Sequence, residues 1–178
     1  NRILLKEGFW RAAETPEGEP TRKWIEPGRY KTQPNHVVTA TGEIFYFAAP
    51  EETPARMADL VSWLRTELEG PTLALPALLA RLHHDFVRIH PFDDGNGRVV
   101  RLLLNYVLLR IGLPPLVVKS RDRQRYLTVI AFADAGDLVP LANFFADAME
   151  WSLRLGLEAA SRLIELHAGE EEMGDSRW

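Results

Sequence analysis

The chain has 178 residues, of which 46% are hydrophobic and 26% are charged, as in an ordinary globular domain. The net charge of −4 argues against general nucleic-acid binding, because a duplex-binding protein needs an excess of basic residues. The absence of cysteine excludes disulfides and thiolate metal sites and agrees with a reducing compartment, so we expect a cytoplasmic location. No apolar run reaches membrane-spanning length and no signal peptide opens the chain, so no membrane contact is expected.

Residues 1–27 are predicted to be an N-terminal helix and loop, the remnant of an upstream region. The chain starts at Asn1 rather than at a methionine, and we interpret it as a fragment of a longer protein. The polar segment 14–20 contains two prolines and a glycine and is predicted to be a loop. Residues 1–12 are interpreted as the end of an amphipathic helix that carries Ile3, Leu4, Phe9 and Trp10.

Two short strands around a turn are predicted next. Residues 37–39 and 44–47 are rich in β-branched and aromatic residues, and the segment 40–43 between them contains a glycine. The composition leaves two interpretations open, a hairpin that only packs against the helices and a hairpin that takes part in function.

Two helices are predicted before residue 90. Thr53 is expected to cap the first, which has a proline at its first position and ends at Gly70. Pro76 starts the second, whose apolar residues recur every three or four positions. On this helix His83 is expected to be a buried imidazole, because a metal pair with the adjacent histidine would need side chains on one helix face. The residues expected to face the core are Leu78, Leu79, Leu82, Phe86 and Ile89.

Three further helices are predicted after residue 96. The segment 97–111 is apolar nearly all round and is expected to lie at the centre of the bundle. Ser120 is expected to cap a helix that ends at Gly136, and Asp137 is expected to cap the last helix, from about residue 138 to 167, before an acidic tail. The residues expected to face inward on the last helix are Leu141, Phe144, Phe145, Met149 and Trp151.

The segment 90–101, H-P-F-D-D-G-N-G-R-V-V-R, contains a dense set of chemically active side chains between two apolar helices. Gly95 and Gly97 at the start of a helix let backbone N–H groups face an anion, which the helix dipole also attracts. Arg98 and Arg101 lie in the first turn of this helix, so both reach the same end and suit the oxygens of a polyphosphate.

Asp94 and His90 complete a nucleotide site in this segment. Asp94 lies just before the positive loop, where its carboxylate could hold a Mg²⁺ ion that bridges phosphate oxygens. His90 gains and loses a proton near neutral pH and could act as a base toward an incoming hydroxyl. Each feature alone also occurs as a cap, a tight turn or a solvated pair of arginines, but the combination favours a nucleotide-using enzyme.

The segment resembles the signature of the Fic (Fido) family, H-P-F-x-[D/E]-G-N-G-R-x-x-R, at all nine specified positions. Residues 28–152 resemble a complete Fic core domain, and residues 153–178 form the end of the C-terminal helix and the tail. The resemblance implies an all-α fold, a helical bundle with one inserted β-hairpin called the flap. It also implies a protein adenylyltransferase, a nucleotidyltransferase that moves AMP from Mg-ATP to a Tyr, Ser or Thr hydroxyl of a target protein.

The resemblance gives each residue of the loop a role. His90 would be the base, and Asp94 would coordinate Mg²⁺ between the α- and β-phosphates. Phe92 would be a buried anchor of the loop. The remaining residues would bind the phosphates: Gly95, Asn96 and Gly97 as the anion hole, Arg98 at the γ-phosphate and Arg101 at the β-phosphate.

Outside the loop the resemblance is looser. Tyr126 matches a tyrosine that contacts the nucleoside in relatives, whereas Asp134 replaces an asparagine at the second nucleoside position. His36, Val37 and Val38 match positions of the flap, whose open edge would hold an extended target segment by strand addition.

The resemblance also bears on regulation and on other activities. Many relatives carry an inhibitory helix of pattern [S/T]-x-x-x-E-[G/N], whose glutamate pairs with the arginine that Arg98 matches. Residues 161–165 have the spacing but Leu166 follows, so the inhibitory helix is expected upstream of Asn1 or on a separate protein. The alternatives to AMP transfer are another nucleotide or phosphodiester donor, removal of AMP from a modified target, and a helical interaction module that senses nucleotide without turnover.

Overall fold

The computed structural model describes residues 1–15, 18–38 and 44–174, with side chains for residues 1–15, 18–36 and 44–162. The chain forms two compact units, Asn1–Leu103 and Leu104–Trp178. Helices dominate the described residues, as predicted, and two antiparallel hairpins lie in the first unit. Within the described ranges, no helix is both long and apolar enough to cross a membrane.

The prediction of a helix over residues 1–12 is wrong beyond its first turn. Helix α1 covers only Arg2–Leu5, and a hairpin of β1, Phe9–Glu14, and β2, Pro20–Ile25, follows. Trp10 lies opposite Trp24, and their rings meet edge to face with centroids 5.4 Å apart. The strand partners of β1 come from residues 20–25. Pairing between the two strands therefore determines the structure of this segment, and the spacing of apolar residues within 1–12 does not.

The second hairpin was predicted and is confirmed. Strands β3, His36–Val38, and β4, Ile44–Tyr46, pair antiparallel, with Val37 opposite Phe45. The predicted turn and Thr39 fall within residues 39–43, which lie outside the described residues.

Helices α2, Thr53–Glu69, and α3, Leu75–Ile89, pack against each other in the first unit. Thr53 is not the cap residue of α2 but lies inside the helix, where its buried hydroxyl donates to the Ala49 carbonyl at 2.9 Å. The five apolar residues of α3 that were predicted to face the core are all buried, and His83 is buried as well. The spacing of apolar residues therefore predicted the inner face of α3 correctly.

Helix α4, Asn96–Arg110, has one buried face and one exposed face, so the prediction that this segment lies at the centre of the bundle is wrong. Leu102, Tyr106 and Leu109 are 59%, 50% and 60% exposed. Their spacing of four and three residues places them on one side of the helix. The buried residues on the other side are Val100, Leu104, Val107 and Leu108.

The second unit contains a 3₁₀ turn, Ser120–Asp122, followed by α5, Arg123–Asp134, and α6, Val139–Gly174. Asp137 caps α6 as predicted, since its carboxylate accepts a hydrogen bond from the Val139 N–H at 3.0 Å. Helix α6 continues beyond the predicted end at residue 167, so most of the predicted acidic tail is helical. Residues 175–178 lie outside the described residues.

The core of the second unit lies between α5 and α6. Leu141, Phe144 and Phe145 are buried as predicted, and the Phe144 ring lies 5.7 Å from the Tyr126 ring of α5. Met149 is half-buried. Trp151 does not face inward, because it is 37% exposed and the Lys119 ammonium lies 3.5 Å from the centroid of its ring.

Adjacent leucines on α4 provide a test of its two faces. Leu108→Ala should lower the free energy of unfolding by about 2–5 kcal/mol, because Leu108 is fully buried and the truncation leaves a cavity. Leu109→Ala makes the same chemical change on the exposed face and should cost about 0.5 kcal/mol. Urea unfolding followed by circular dichroism measures both, and equal losses would contradict the assignment of the faces.

Candidate active site

Helix α3 ends abruptly at His90, where the loop to α4 begins. His90 has a left-handed backbone, with φ of 49°, and its N–H still donates to the Phe86 carbonyl at 2.9 Å. A non-glycine residue in this conformation costs on the order of 1–3 kcal/mol, so surrounding contacts must hold it there. The imidazole stacks on the Phe47 ring, with centroids 3.9 Å apart and planes 18° from parallel. Backbone and ring of His90 are therefore both fixed.

The N-terminal turn of α4 and the loop line a cavity of about 310 Å³. Gly95 has a φ of +81° and allows the abrupt entry into the helix, which starts at Asn96. Arg98 and Arg101 of the first turn line the same cavity together with His90. The structure thus brings together the predicted base, the helix start and both predicted arginines.

The buried side chain of Asn96 holds the loop by hydrogen bonds to its backbone. Its side chain is 3% exposed, and its amide accepts a hydrogen bond from the Phe92 N–H at 3.0 Å and donates to the Phe92 carbonyl at 2.6 Å. Phe92 itself is half-buried between Tyr30 and Phe86, with centroids 5.7 and 6.5 Å away, rather than fully buried as expected. The anchoring expected of Phe92 is therefore shared with the amide of Asn96.

A buried lysine also supports the loop, and no pattern in the sequence distinguishes it. Lys31 is 3% exposed, and its ammonium donates to the Ile89 carbonyl at 2.9 Å and to the Asn35 side chain at 2.8 Å. Asn35 in turn donates to the carbonyls of His90 and Phe92 at 3.3 and 3.4 Å. The backbone N–H of Lys31 also donates to the Pro91 carbonyl at 2.8 Å, so both the backbone and the side chain of Lys31 contact the loop.

The two loop carboxylates contact the β1–β2 hairpin, which was not predicted. Asp93 accepts a hydrogen bond from Lys23 of β2 at 2.6 Å. One carboxylate oxygen of Asp94 lies 2.9 Å from the Arg11 guanidinium of β1 and also accepts the Gly95 N–H at 2.6 Å. Sequence reasoning missed Arg11 and Lys23 because residues 1–12 were interpreted as a helix.

The electrostatic environment keeps the His90 imidazole neutral. Burial first, and then the nearby Lys31 ammonium, lower the pKa of His90 to about 4, although the Val87 backbone opposes this shift. His83 also has a lowered pKa, about 3, mainly because of burial. A neutral imidazole can accept a proton, so His90 has the protonation state that a general base needs at neutral pH.

The donor set fits a magnesium ion held jointly with phosphate. Among the described residues, no group of three or more His, Asp or Glu side chains could hold a metal alone. Asp94 offers a carboxylate at the cavity wall. Mg²⁺ in nucleotide sites commonly takes one or two carboxylates and completes its coordination with phosphate oxygens and water.

The other predicted site residues lie on separate elements. His36, Val37 and Val38 form β3 of the first unit, and their role as flap residues stays a prediction. Tyr126, half-buried, and Asp134, exposed, lie on α5 of the second unit, and their nucleoside contacts stay predictions. The side chain at the glutamate position of the 161–165 pattern lies outside the described side chains.

Known proteins share this sequence pattern and fold. The model of the Fic/DOC family matches residues 12–108. Protein adenylyltransferase Fic of Culex quinquefasciatus is 39% identical over 129 residues, 70% of this chain and 25% of that protein. The Aedes aegypti protein of the same name is 44% identical over 115 residues, 64% and 23% of the two chains. This chain therefore spans about a quarter of the length of these relatives.

Solved structures agree with the fold. A Fic-domain-containing signaling protein from Bacteroides thetaiotaomicron has a TM-score of 0.74 and 42% identity, covering 78% of this chain and 57% of its own. Fic-1 from C. elegans, with an E274G substitution in that protein's own numbering, has a TM-score of 0.63 and 32% identity, covering 77% and 38%. These likenesses confirm the predicted fold class, a mostly helical domain with an inserted hairpin.

Replacing Lys31 tests its support of the loop. Lys31→Met keeps roughly the length of the side chain but removes the ammonium that donates to the Ile89 carbonyl and the Asn35 side chain. The free energy of unfolding should therefore fall by about 1–3 kcal/mol. The control Arg29→Met removes a cation that is 74% exposed and should change stability by less than about 1 kcal/mol. A Lys31→Met protein as stable as the control in urea would exclude this role.

The pKa of His90 leads to a prediction about pH. The unfolded chain binds this proton near pH 6.5 and the folded chain only near 4, so the stability that the neutral imidazole contributes is complete above pH 6.5. It is lost as the pH falls from 6.5 toward 4, by roughly 3 kcal/mol in total. NMR titration of the imidazole resonances, assigned by the signal missing in His90→Gln, should give a midpoint near 4. A midpoint between 6 and 7 would contradict the proposed environment.

Proposed function

Because the chain belongs to the Fic/DOC family, we propose that it is a protein adenylyltransferase that moves AMP from Mg-ATP to a Tyr, Ser or Thr hydroxyl of a target protein. One observation carries the proposal: a neutral, fixed imidazole lies at the wall of a cavity that also contains a helix start and two arginines. The relatives named protein adenylyltransferase support the choice of reaction.

His90 acts as the general base. The hydroxyl oxygen of the target attacks the α-phosphorus of ATP and forms a new P–O bond, while its proton passes to the imidazole. The bond between the α-phosphorus and the α–β bridging oxygen breaks, and pyrophosphate leaves. A base that is already neutral at pH 7 needs no prior deprotonation, and its stacking on Phe47 fixes the direction from which it accepts the proton.

Arg98 and Arg101 bind the phosphates that leave. Guanidinium groups donate two parallel hydrogen bonds to phosphate oxygens, and the N–H groups of residues 95–97 lie at the positive end of α4. Both features favour negative charge where pyrophosphate develops it. Asn96 contributes indirectly, since its amide is occupied by the backbone of Phe92 and holds the shape of the loop.

Asp94 is the residue that would hold Mg²⁺ together with the phosphates. When bound, the metal neutralises negative charge on the phosphates and polarises them toward attack. The carboxylate lies at the cavity wall, 23% exposed, and already accepts the Gly95 N–H, which orients it.

The target protein binds along the β3–β4 hairpin. Both strands have an outer edge that no other described strand covers, and such an edge can accept an extended segment by strand addition. The residue after β4, Phe47, stacks on His90, and the next N–H, of Ala48, donates to the Arg88 carbonyl at 3.1 Å. A segment held on the hairpin would therefore lie beside the base.

Labelling of the protein by ATP tests the reaction. Incubation with Mg²⁺ and α-³²P-ATP should label the protein or an added target mixture, whereas γ-³²P-ATP should not, because only AMP is transferred. His90→Ala should lower the labelling rate by roughly 10²–10⁴-fold and leave nucleotide binding nearly unchanged. His84→Ala, a histidine on α3 outside the cavity, serves as the control and should label like the parent.

Each other outcome of this experiment points to another function. Label from γ-³²P-ATP would mean transfer of phosphate rather than AMP. Equal labelling in His90→Ala and the parent would remove His90 from the mechanism. Binding of ATP without label from either isotope, in the presence of targets, would favour a module that senses nucleotide without turnover.

A further inference from the structure

The β1–β2 hairpin has two chemically different sides. Arg11 lies directly opposite Lys23, and Trp10 lies directly opposite Trp24. Because neighbouring residues of a strand point to opposite faces, the two cations share one face and the two indoles share the other. The cationic face contacts the loop, since Lys23 meets Asp93 at 2.6 Å and Arg11 meets Asp94 at 2.9 Å.

The two ion pairs differ in burial and in position. Lys23 and Asp93 have side chains that are 28% and 16% exposed, and Lys23 does not line the cavity. This pair fastens the hairpin to the loop. Arg11 is 55% exposed and lines the cavity together with Arg98 and Arg101. With Asp93 neutralised by Lys23, the cavity is lined by three guanidinium groups and one remaining carboxylate, Asp94, which leaves it with an excess of positive charge.

The Asp94 carboxylate cannot bind a metal ion without weakening its contacts with its present partners. One of its oxygens already receives the Arg11 guanidinium and the Gly95 N–H, and the other lies 3.6 Å from Arg98. A divalent cation held by this carboxylate would compete with Arg11 for its negative charge. Arg11 would then remain at the cavity wall beside phosphate oxygens, which suit its planar set of donors.

We infer that Arg11 is a third phosphate-binding arginine, which the hairpin supplies to the cavity and which neutralises Asp94 until a metal-bound polyphosphate arrives. The ligand class is a nucleoside triphosphate or another polyphosphate chain. The inference rests on the proposed function, and it assigns a binding role to a residue just outside the span that the family model matches.

Calorimetric titration tests this role by measuring binding affinity, without an activity assay. The titrants are Mg-ATP and Mg-tripolyphosphate, added separately to the parent protein and to Arg11→Ala. Loss of a charge-assisted bond to phosphate should raise both Kd values about tenfold or more. Arg98→Ala should weaken binding as well. Arg22→Ala removes an exposed arginine from the same strand as Lys23 and should leave both Kd values within about twofold.

The outcomes separate the inference from the proposed function. An unchanged or tighter Kd in Arg11→Ala would overturn the inference, because it would mean that Arg11 only competes with the metal for Asp94. If the parent binds tripolyphosphate in an Arg11-dependent way but does not bind ATP, the inference holds and adenylyl transfer fails. If the parent binds neither titrant, both are wrong.

The test also needs a variant that keeps the hairpin folded. Arg11→Gln retains most of the aliphatic stem and one amide donor, and its melting temperature should match that of Arg22→Ala. If Arg11→Ala is unstable, Arg11→Gln replaces it, with the same expected loss of polyphosphate affinity. Full affinity in a folded Arg11→Gln protein would overturn the inference in the same way.

Discussion

The carbonyl groups at the end of α3 impose the constraint on which the site depends. A helix leaves its last carbonyls without partners, and here the chain also turns sharply before α4 begins. Side chains supply the missing donors: Lys31 to Ile89, Asn35 to His90, and Asn96 to Phe92. Since these bonds use only the backbone of the loop, His90 can keep its left-handed conformation while its imidazole lines the cavity.

Two sets of positive charges act at this site. Arginines at the cavity favour an anionic polyphosphate, and the buried Lys31 ammonium disfavours a second positive charge on His90. Burial has the largest effect on the imidazole and acts in the same direction. A cavity lined by arginines therefore does not conflict with a neutral histidine, because burial and the Lys31 ammonium both keep the imidazole free of its proton.

The sequence predicted those parts of the site that depend on residues close together in the chain. The signature from His90 to Arg101, the stop of α3 and the apolar face of α3 all follow from residues within a few turns of one another. Lys31 and Arg11 could not be found in this way, because Lys31 contacts Ile89 across 58 positions and Arg11 acts through a hairpin formed by pairing. The burial of helix α4 was predicted wrongly for a related reason: its sequence is apolar nearly all round, and only its neighbours decide which side is buried.

The segment of β4 and Phe47 contacts Arg88 in the last turn of α3 and His90 just after it. Arg88, in the last turn of α3, lies over the Phe45 ring at 4.6 Å, and Phe47 covers the imidazole of His90. On the proposed function, the edge that accepts a target and the group that accepts its proton thus share one rigid support. The register in which a segment adds to the strand would then determine which side chain reaches His90. Because the period of a strand is two residues, a shift by one position would turn that hydroxyl to the opposite face, so selection of the modified residue would depend on backbone pairing as well as on the side chain itself.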